Sequence, residues 1–441
     1  MKNQFPPKSI NIDSTIQKLS IACFLLFTLA SNFSISLAQV GAYLGIALWL
    51  TQTHRSGNWG NTQTILLWPF AFYLIATIIS IGFAVDPWMS VSQLRKFFLA
   101  LIFFWTMNAL GQSDFKGFFI WMGDKLKPFA FLKRWAQNKT SSTSDQAVEF
   151  LVTVLFVSAF FSACYGLFQA FTSGGELADR IQIRGTMSHV FTFSVILMMI
   201  GLLALSRQLF GFAREKWIYT ALSAILLCLI LTMTRQIWLS LFVVTSCLLL
   251  FKRKSLIIIP TLLAVSIFLF SPKVIQDRIT SIADLQQYSN SVRFAMWEGG
   301  IDVVKDYPLT GCGYKCLHLI RDQYPQHPVL QEFYYNLHNN LVQIAVDSGL
   351  LGLGTWMGIW ISYFVNLLNR LRKEPSDSSS RWVILGSGAA VLSFLIAGLF
   401  ETSFYDSEVV MVLYFIMALP FVSFNTSQTA PSDPATPSSS Q

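Results

Sequence analysis

Three arginines are the residues whose type and placement first suggest chemistry. Arg184 directly precedes an apolar run, Arg235 stands between two such runs, and Arg293 lies in a long polar segment. Guanidinium is always charged and binds phosphate oxygens through a planar, bidentate fork. A cation already in place also stabilises the charge that develops on a diphosphate leaving group. The three arginines are therefore predicted to bind a diphosphate, although Arg235 could instead cap the carbonyl end of the preceding helix.

His338 opens a long apolar run and is the candidate general base. Imidazole can take a proton from an attacking sugar hydroxyl near neutral pH. The molecule that supplies this hydroxyl is the acceptor, and the sugar diphosphate is the donor. Candidate contacts of the acceptor or the donor are the neighbouring Asn339 and the acids Glu401, Asp406 and Glu408. Other interpretations stay open from the residues alone. His338 could be an interfacial residue without catalytic work, and the three acids could belong to a solvated loop.

The cysteines and the first external loop give no sign of a metal site. Six cysteines are spread thinly, and no CxxC motif or Cys/His ligand spacing occurs. Many polytopic glycosyltransferases hold a metal on a carboxylate in the first loop on the non-cytoplasmic side of the membrane. In this chain that loop is predicted at about residues 31–34, and it contains no acid. We therefore predict chemistry without a metal or a cofactor. Cys312 and Cys316 could form a disulfide if their segment faces an oxidising compartment.

Composition indicates which elements position these residues. Of 441 residues, 53% are hydrophobic and only 12% are charged, against about 25% charged in ordinary soluble domains. A bilayer-spanning helix needs about 20 apolar residues, and reading for that length predicts an all-α polytopic membrane protein with about twelve transmembrane helices. The apolar runs are 18–33, 35–51, 64–84, 94–112, 147–171, 187–206, 217–233, 235–251, 255–271, 338–369, 382–401 and 408–425.

Two polar inserts and a polar tail divide these runs. The first insert is basic and aromatic, which suits an amphipathic helix lying on anionic lipid. The second is the largest soluble part, and the Ser/Thr/Pro-rich tail is predicted to be disordered. The predicted divisions are helices 1–4 in 1–112, a cytoplasmic amphipathic insert in 113–146, helices 5–9 in 147–271, a large periplasmic loop in 272–337, helices 10–12 in 338–425 and a cytoplasmic tail in 426–441.

Lysine and arginine fix the predicted orientation. With the N-terminus inside, the short loops on the cytoplasmic side carry most of these residues, which places both termini in the cytoplasm. The net charge of +8 then suits contact with anionic lipid headgroups on that side. No motif for nucleic-acid binding accompanies the basic residues. Arg95 and Lys96 fall on the external side, where we expect them to extend to the membrane interface.

The external segments carry a series of motifs that resembles the O-antigen ligase and polymerase superfamily. The chain has Arg and Trp at 293 and 297, Pro-Leu-x-Gly-x-Gly at 308–313, His-Asn at 338–339 and Gly-Leu-x-Gly at 349–352. Residues 184–186 and 232–235 are similar to the upstream motifs of the family, and 398–408 is similar to the end of some members. The resemblance covers roughly residues 175–415, and it departs from the family at 187–189, where Met-Ser-His stands in place of the usual Phe and Asn.

The resemblance implies a glycosyltransferase of the bacterial inner membrane that moves glycan from undecaprenyl diphosphate on the periplasmic face. It implies that His338 is the essential histidine and that Arg184 and Arg293 hold the diphosphate, with Arg235 matching less closely. An O-antigen ligase, which attaches glycan to lipid A core, is favoured. A polymerase that uses another glycan as acceptor, or an enzyme that glycosylates protein, is the alternative inside the superfamily. A polytopic transporter is the alternative outside it.

Overall fold

The structure is a computed structural model that describes residues 12–57, 59, 62–125, 143–172, 183–211, 214–333, 335–375, 378 and 380–422. Within these residues every regular element is a helix, and no strand occurs. The predicted all-α class is therefore confirmed.

In chain order the helices are α1 Ile12–Ala30, α2 Ile35–Ser56, α3 Leu67–Gly82, α4 Pro87–Val91, α5 Phe97–Ala109, α6 Phe115–Lys125, α7 Thr143–Thr172, α8 Val190–Phe210, α9 Lys216–Leu231, α10 Arg235–Lys252, α11 Ile258–Phe270, α12 Lys273–Thr280, α13 Tyr288–Asp306, α14 Leu317–Ile320, α15 Pro328–Glu332, α16 Asn340–Lys373, α17 Arg381–Ala397 and α18 Ser407–Ala418. Short 3-10 turns cover Ser92–Lys96, Leu110–Gln112, Lys254–Ile257, Arg321–Gln323 and Leu419–Phe421.

Each of the apolar runs in the sequence coincides with one helix of this series. Five helices are long and apolar enough to cross a membrane, namely Ile35–Ser56, Gln146–Thr172, Val190–Phe210, Arg235–Lys252 and Asn340–Lys373. Among the described residues, shorter apolar helical stretches of 10–17 residues occupy six further runs, and α5, with 13 residues, occupies the run at 94–112. The chain is thus a polytopic membrane protein, and the number of helices that cross the bilayer stays a prediction.

Two hydrophobic cores divide the described residues. The large one joins α1–α3, α5–α10 and α16–α18, with Trp105, Trp356 and Tyr363 among its largest buried side chains. The small one lies inside the predicted external insert and includes Met296, Val303, Leu317 and Leu330. Because Leu337 and Val346 at the start of α16 also belong to the small core, the insert packs against the end of a long apolar helix.

Backbone hydrogen bonds fasten the insert to a kink in α16. The N–H groups of Cys312 and Gly313 donate to the carbonyls of Val346 and Asp347 at 3.0 Å. Gly349 interrupts α16 at φ +65°, and a Cβ there would lie 2.3 Å from the carbonyl of Leu309. The Pro-Leu-x-Gly-x-Gly and Gly-Leu-x-Gly motifs are therefore two halves of one backbone contact, in which glycine is required by space and by φ.

Lys96 departs from its expected place at the membrane interface. Its ammonium donates to the Tyr314 hydroxyl and to the Tyr405 carbonyl, both at 2.9 Å. One cation thus joins the turn before α5 to the insert and to the segment between α17 and α18. The same insert contains a disulfide between Cys312 and Cys316, whose Cα atoms are 5.7 Å apart.

The basic insert predicted at 113–146 is only partly described. The aromatic positions do form a helix, α6, but Phe115, Phe118 and Phe119 are buried in the large core. The ring centroids of Phe119 and Phe150 are 4.4 Å apart. The described phenylalanines of α6 therefore pack inside the protein, with Phe119 against α7. Contact of this insert with lipid stays a prediction. Residues 126–142 and the predicted tail 426–441 lie outside the described residues.

Candidate active site

A cavity of about 610 Å³ lies where the insert meets the ends of the long helices. Its walls come from the start of α8, the turn between α9 and α10, the helices α12 and α13, and the segment after α17. The residues lining it are Arg184, Ser188, His189, Val190, Phe191, Thr232, Met233, Thr234, Gln236, Val274, Arg278, Gln287, Tyr288, Ser289, Arg293 and Glu401. Two of the three predicted arginines and one of the three predicted acids therefore share one cavity, although Arg184 and Glu401 are more than two hundred positions apart in the sequence.

The guanidinium groups of Arg184 and Arg293 have their donors available. Among the described residues, no side chain or carbonyl accepts a hydrogen bond from either group, and neither forms an ion pair within 4.0 Å. Arg184 is exposed and Arg293 is half-buried. Burial lowers the pKa of Arg293 from its ordinary value, and the charge of Glu401 opposes that shift. Two charged forks thus face the same volume without an internal hydrogen-bond acceptor, as a diphosphate would require.

A tight turn positions Arg184 at the mouth of α8. Gly185 adopts φ +58°, and a Cβ there would lie 2.7 Å from the Phe193 ring. The Gln169 side chain donates to the Gly185 carbonyl at 2.8 Å and accepts from its N–H at 2.9 Å. This reciprocal amide contact holds the turn against α7 and fixes the direction in which the arginine leaves the backbone.

Asp406 and Glu408 bond to residues that follow this turn in the sequence, Thr192 and Ser188. Asp406 caps α18 by accepting from the Glu408 N–H at 3.0 Å, and its other carboxylate oxygen accepts from Thr192 in α8. Glu408 is buried and accepts from the Ser188 hydroxyl at 3.1 Å. Both predicted substrate contacts are therefore engaged inside the protein, and only Glu401 of the three acids lines the cavity.

His338 and Glu401 form a hydrogen-bonded pair. The His338 Nδ1 and Glu401 Oε1 atoms are 2.6 Å apart, and the two side chains are 31% and 13% exposed. An ionised carboxylate can only accept, so with Glu401 ionised a neutral imidazole carries its proton on Nδ1 and its lone pair on Nε2. No described residue bonds to Nε2. The pair therefore offers a base whose tautomer is set by a carboxylate, next to the cavity that holds the two free guanidiniums.

Asn339 has a structural explanation. Its carbonyl oxygen caps α16 by accepting from the N–H groups of Leu341 and Val342, and its amide donates to the Leu399 carbonyl at 3.0 Å. These bonds tie the start of α16 to the segment that carries Glu401. His338 itself adopts φ +49° just before the cap, so Asn339 positions the His338–Glu401 pair from the side of the backbone.

Arg235 differs from the other two arginines. It is 6% exposed, does not line the cavity, and donates to the carbonyl and hydroxyl of Ser281, to Ser289 and to Asn290 at 2.6–3.0 Å. The Arg235 guanidinium lies near enough to Arg278 and Arg293 for their charges to act on it, but its donors are engaged and it does not enter the cavity lining. Its contacts explain it as the link between the start of α10 and the connection from α12 to α13.

Two cavity residues were missed from the sequence. Arg278 in α12 lines the cavity, and its Nε donates to the Met233 carbonyl at 3.0 Å. His189 precedes α8 and also lines the cavity. An arginine inside a polar insert carries no sequence signal that separates it from a surface residue. One sequence feature could have indicated His189: it belongs to residues 187–189, where the chain departs from the family pattern.

No three side chains of His, Cys, Asp or Glu come together as metal ligands would in the part of the chain that the structure describes. The absence of a metal and a cofactor from the reaction stays a prediction.

Comparison with known proteins identifies the segment that builds much of this cavity. Residues 220–357 match the family model described as O-antigen ligase. A similar protein is the exopolysaccharide production protein ExoQ of Rhizobium meliloti (strain 1021), which is 30% identical over 103 residues. That match covers 22% of this chain and 23% of the relative.

The resemblance to the O-antigen ligase and polymerase superfamily is confirmed. The range that matches this superfamily contains Arg278, Arg293 and His338 and the whole insert. Arg184, His189 and Glu401 lie outside it and reach the same cavity through the packing of α8, α16 and α17.

Proposed function

We propose that this protein is a membrane glycosyltransferase that moves a glycan from undecaprenyl diphosphate to an acceptor hydroxyl, without a metal or a cofactor. The observation that carries the proposal is the cavity in which Arg184 and Arg293 present unpartnered guanidiniums beside the Glu401–His338 pair. Cations without internal partners suit an anionic ligand, and a neutral imidazole suits a hydroxyl nucleophile.

In the proposed reaction, Nε2 of His338 takes the proton of the acceptor hydroxyl. The oxygen attacks the anomeric carbon of the glycan, and the bond from that carbon to the diphosphate oxygen breaks. Its electron pair leaves with undecaprenyl diphosphate, whose charge Arg184 and Arg293 stabilise without reorganising. Glu401 holds the imidazole in its reactive tautomer and stabilises the imidazolium that forms.

Two acceptors are supported by different comparisons. The matching family model is described as O-antigen ligase, which favours lipid A core as the acceptor. The relative is named as a protein of exopolysaccharide production, which favours a polymerase whose acceptor is another glycan. We propose the ligase first and the polymerase second.

The experiment that tests the proposal uses the full chain purified in lipid. We expect glycan on undecaprenyl diphosphate to be transferred to lipid A core or to a second glycan, with release of undecaprenyl diphosphate. Transfer should be at background level for His338→Ala, which is the matched control. Absence of product with the unsubstituted chain would overturn the proposal, and product of equal amount with both proteins would overturn the role of His338. Solute uptake without transfer would favour a transporter.

Deletion of the gene separates the two acceptors. A ligase deletion should accumulate polymer on the lipid carrier, whereas a polymerase deletion should leave single repeats on the final acceptor. Gel analysis of surface polysaccharide distinguishes these patterns. Unchanged polysaccharide would argue against both.

The proposed reaction requires the insert to face the periplasm, as the lysine and arginine distribution predicts. Ala283 is exposed in the turn between α12 and α13, and Ser255 is exposed in the connection between α10 and α11. We expect Ala283→Cys to react with a membrane-impermeant thiol reagent in cells with a permeabilised outer membrane, and Ser255→Cys to react only after lysis. The unsubstituted chain, with Cys23 and Cys228 buried, is the blank. The reverse pattern would contradict the orientation.

A further inference from the structure

His189 is a second histidine of the cavity, and the sequence comparison assigns it no role. It stands directly before α8, lines the cavity with Arg184 and Arg293, and is exposed to that volume. The Nδ1 atom of its ring lies 3.3 Å from the Phe191 N–H and caps the helix.

That cap determines the tautomer of His189. A backbone N–H can only donate, so Nδ1 must be the accepting nitrogen. The proton of the neutral ring is therefore on Nε2, and no described residue accepts a hydrogen bond from Nε2. His189 thus brings a donor without an internal partner to the wall that also carries Arg184.

The two histidines consequently have opposite tautomers. His338 donates from Nδ1 to Glu401 and has a lone pair on Nε2, which suits a hydroxyl that loses its proton. His189 accepts at Nδ1 and has a hydrogen on Nε2, which suits an oxygen that gains negative charge. One ring can act on the acceptor side and the other on the leaving-group side.

We propose that His189 contacts the diphosphate of the lipid carrier, with Nε2–H donating to a phosphate oxygen beside the Arg184 guanidinium. This inference rests on the proposed function. No proton is transferred by His189. Its hydrogen bond strengthens as the bond from the anomeric carbon to the diphosphate breaks and charge moves onto the phosphate oxygens.

Two substitutions separate this contact from helix capping. In His189→Asn the side-chain oxygen can replace Nδ1 as the cap, since asparagine is a preferred N-cap residue, but no donor reaches the position of Nε2. In His189→Gln the amide nitrogen can reach the position of Nε2, but the cap is lost. His318→Asn, in the insert and outside the cavity, is the matched control.

The measurements are binding of undecaprenyl diphosphate and of undecaprenyl monophosphate to each purified variant, the Tm of each, and the transfer rate. We expect His189→Asn to keep the Tm and to bind the diphosphate about 10-fold more weakly, which is the usual effect of losing a hydrogen bond to a charged group. We expect His189→Gln to lower the Tm and to stay within about 3-fold of the unsubstituted affinity. His318→Asn should match the unsubstituted chain in every measurement.

A purely capping role predicts the opposite order, with His189→Asn unaffected and His189→Gln impaired, and that order would overturn the inference. Equal affinity of all variants for the diphosphate would also overturn it. Transfer by the unsubstituted chain is measured in the same preparations. The proposed function fails only if that transfer is absent, so the two failures are distinguishable.

Discussion

Replacing His338 by alanine or by glutamine is expected to lower the transfer rate by roughly 100-fold or more, which is the usual contribution of a general base. Alanine removes the ring, and glutamine retains a hydrogen-bonding group without a comparable basic nitrogen. Nδ1 bonds to Glu401 at 2.6 Å, and Nε2 has no partner among the described residues. The expected fall in rate is therefore due to the loss of Nε2, the atom that takes the proton. The measurement is the initial rate of transfer at saturating donor and acceptor.

The insert contains a matched control for this prediction. His327 also pairs with a carboxylate, since its Nε2 lies 2.8 Å from Asp302 Oδ2. Asp302 does not line the cavity, whereas Glu401, the partner of His338, does. His327→Gln should therefore retain most of the rate once protein abundance is matched. If His338→Gln also retained most of the rate, His338 would only position the acceptor.

Glu401→Gln tests the other member of the pair. The glutamine amide can donate to Nδ1, which would shift the imidazole proton to Nε2 and remove the reactive lone pair. We therefore expect a lower rate at unchanged donor affinity. A normal rate in this variant would show that the carboxylate is not needed to set the tautomer.

Replacing Arg184 or Arg293 by lysine is expected to lower the transfer rate by roughly 30- to 1000-fold, although the charge is kept. One ammonium cannot reproduce the planar fork of guanidinium. Loss of a well-placed charge-assisted contact costs about 2–4 kcal/mol, which corresponds to that range of rates. The prediction applies to these two arginines because neither guanidinium has a partner among the described residues. It is checked by the rate of transfer and by affinity for undecaprenyl diphosphate.

Arg235→Lys provides the contrast. Its guanidinium makes four hydrogen bonds to Ser281, Ser289 and Asn290, which an ammonium cannot all retain, so we expect a lower Tm. The protein that remains folded should bind undecaprenyl diphosphate normally.

Full activity with lysine at both Arg184 and Arg293 would show that bidentate geometry is unnecessary. Weak donor binding by folded Arg235→Lys would return Arg235 to the diphosphate site.

The sequence by itself determined the class of protein and the location of its helices. Apolar runs of membrane-spanning length are a local property, because every backbone polar group in a bilayer must be satisfied within a helix or a closed barrel. The apolar run at 338–369, for example, is visible without any tertiary information. The motif residues Gly311 and Gly349 were also visible, since glycine is required where the backbone adopts a positive φ or approaches another backbone closely.

Only the tertiary structure decided which polar residues share a cavity and which are already engaged. Arg184, Arg235 and Arg293 have the same chemistry and similar sequence settings, but Arg235 finds four internal acceptors, whereas Arg184 and Arg293 find none among the described residues. Glu401 bonds to His338 and lines the cavity, whereas Asp406 and Glu408 accept from the hydroxyls of Thr192 and Ser188 and do not line it. The partners come from distant parts of the chain, so residue type and spacing cannot reveal them. Availability of a donor or an acceptor is a property of the packed neighbours, and packing exists only in the folded protein.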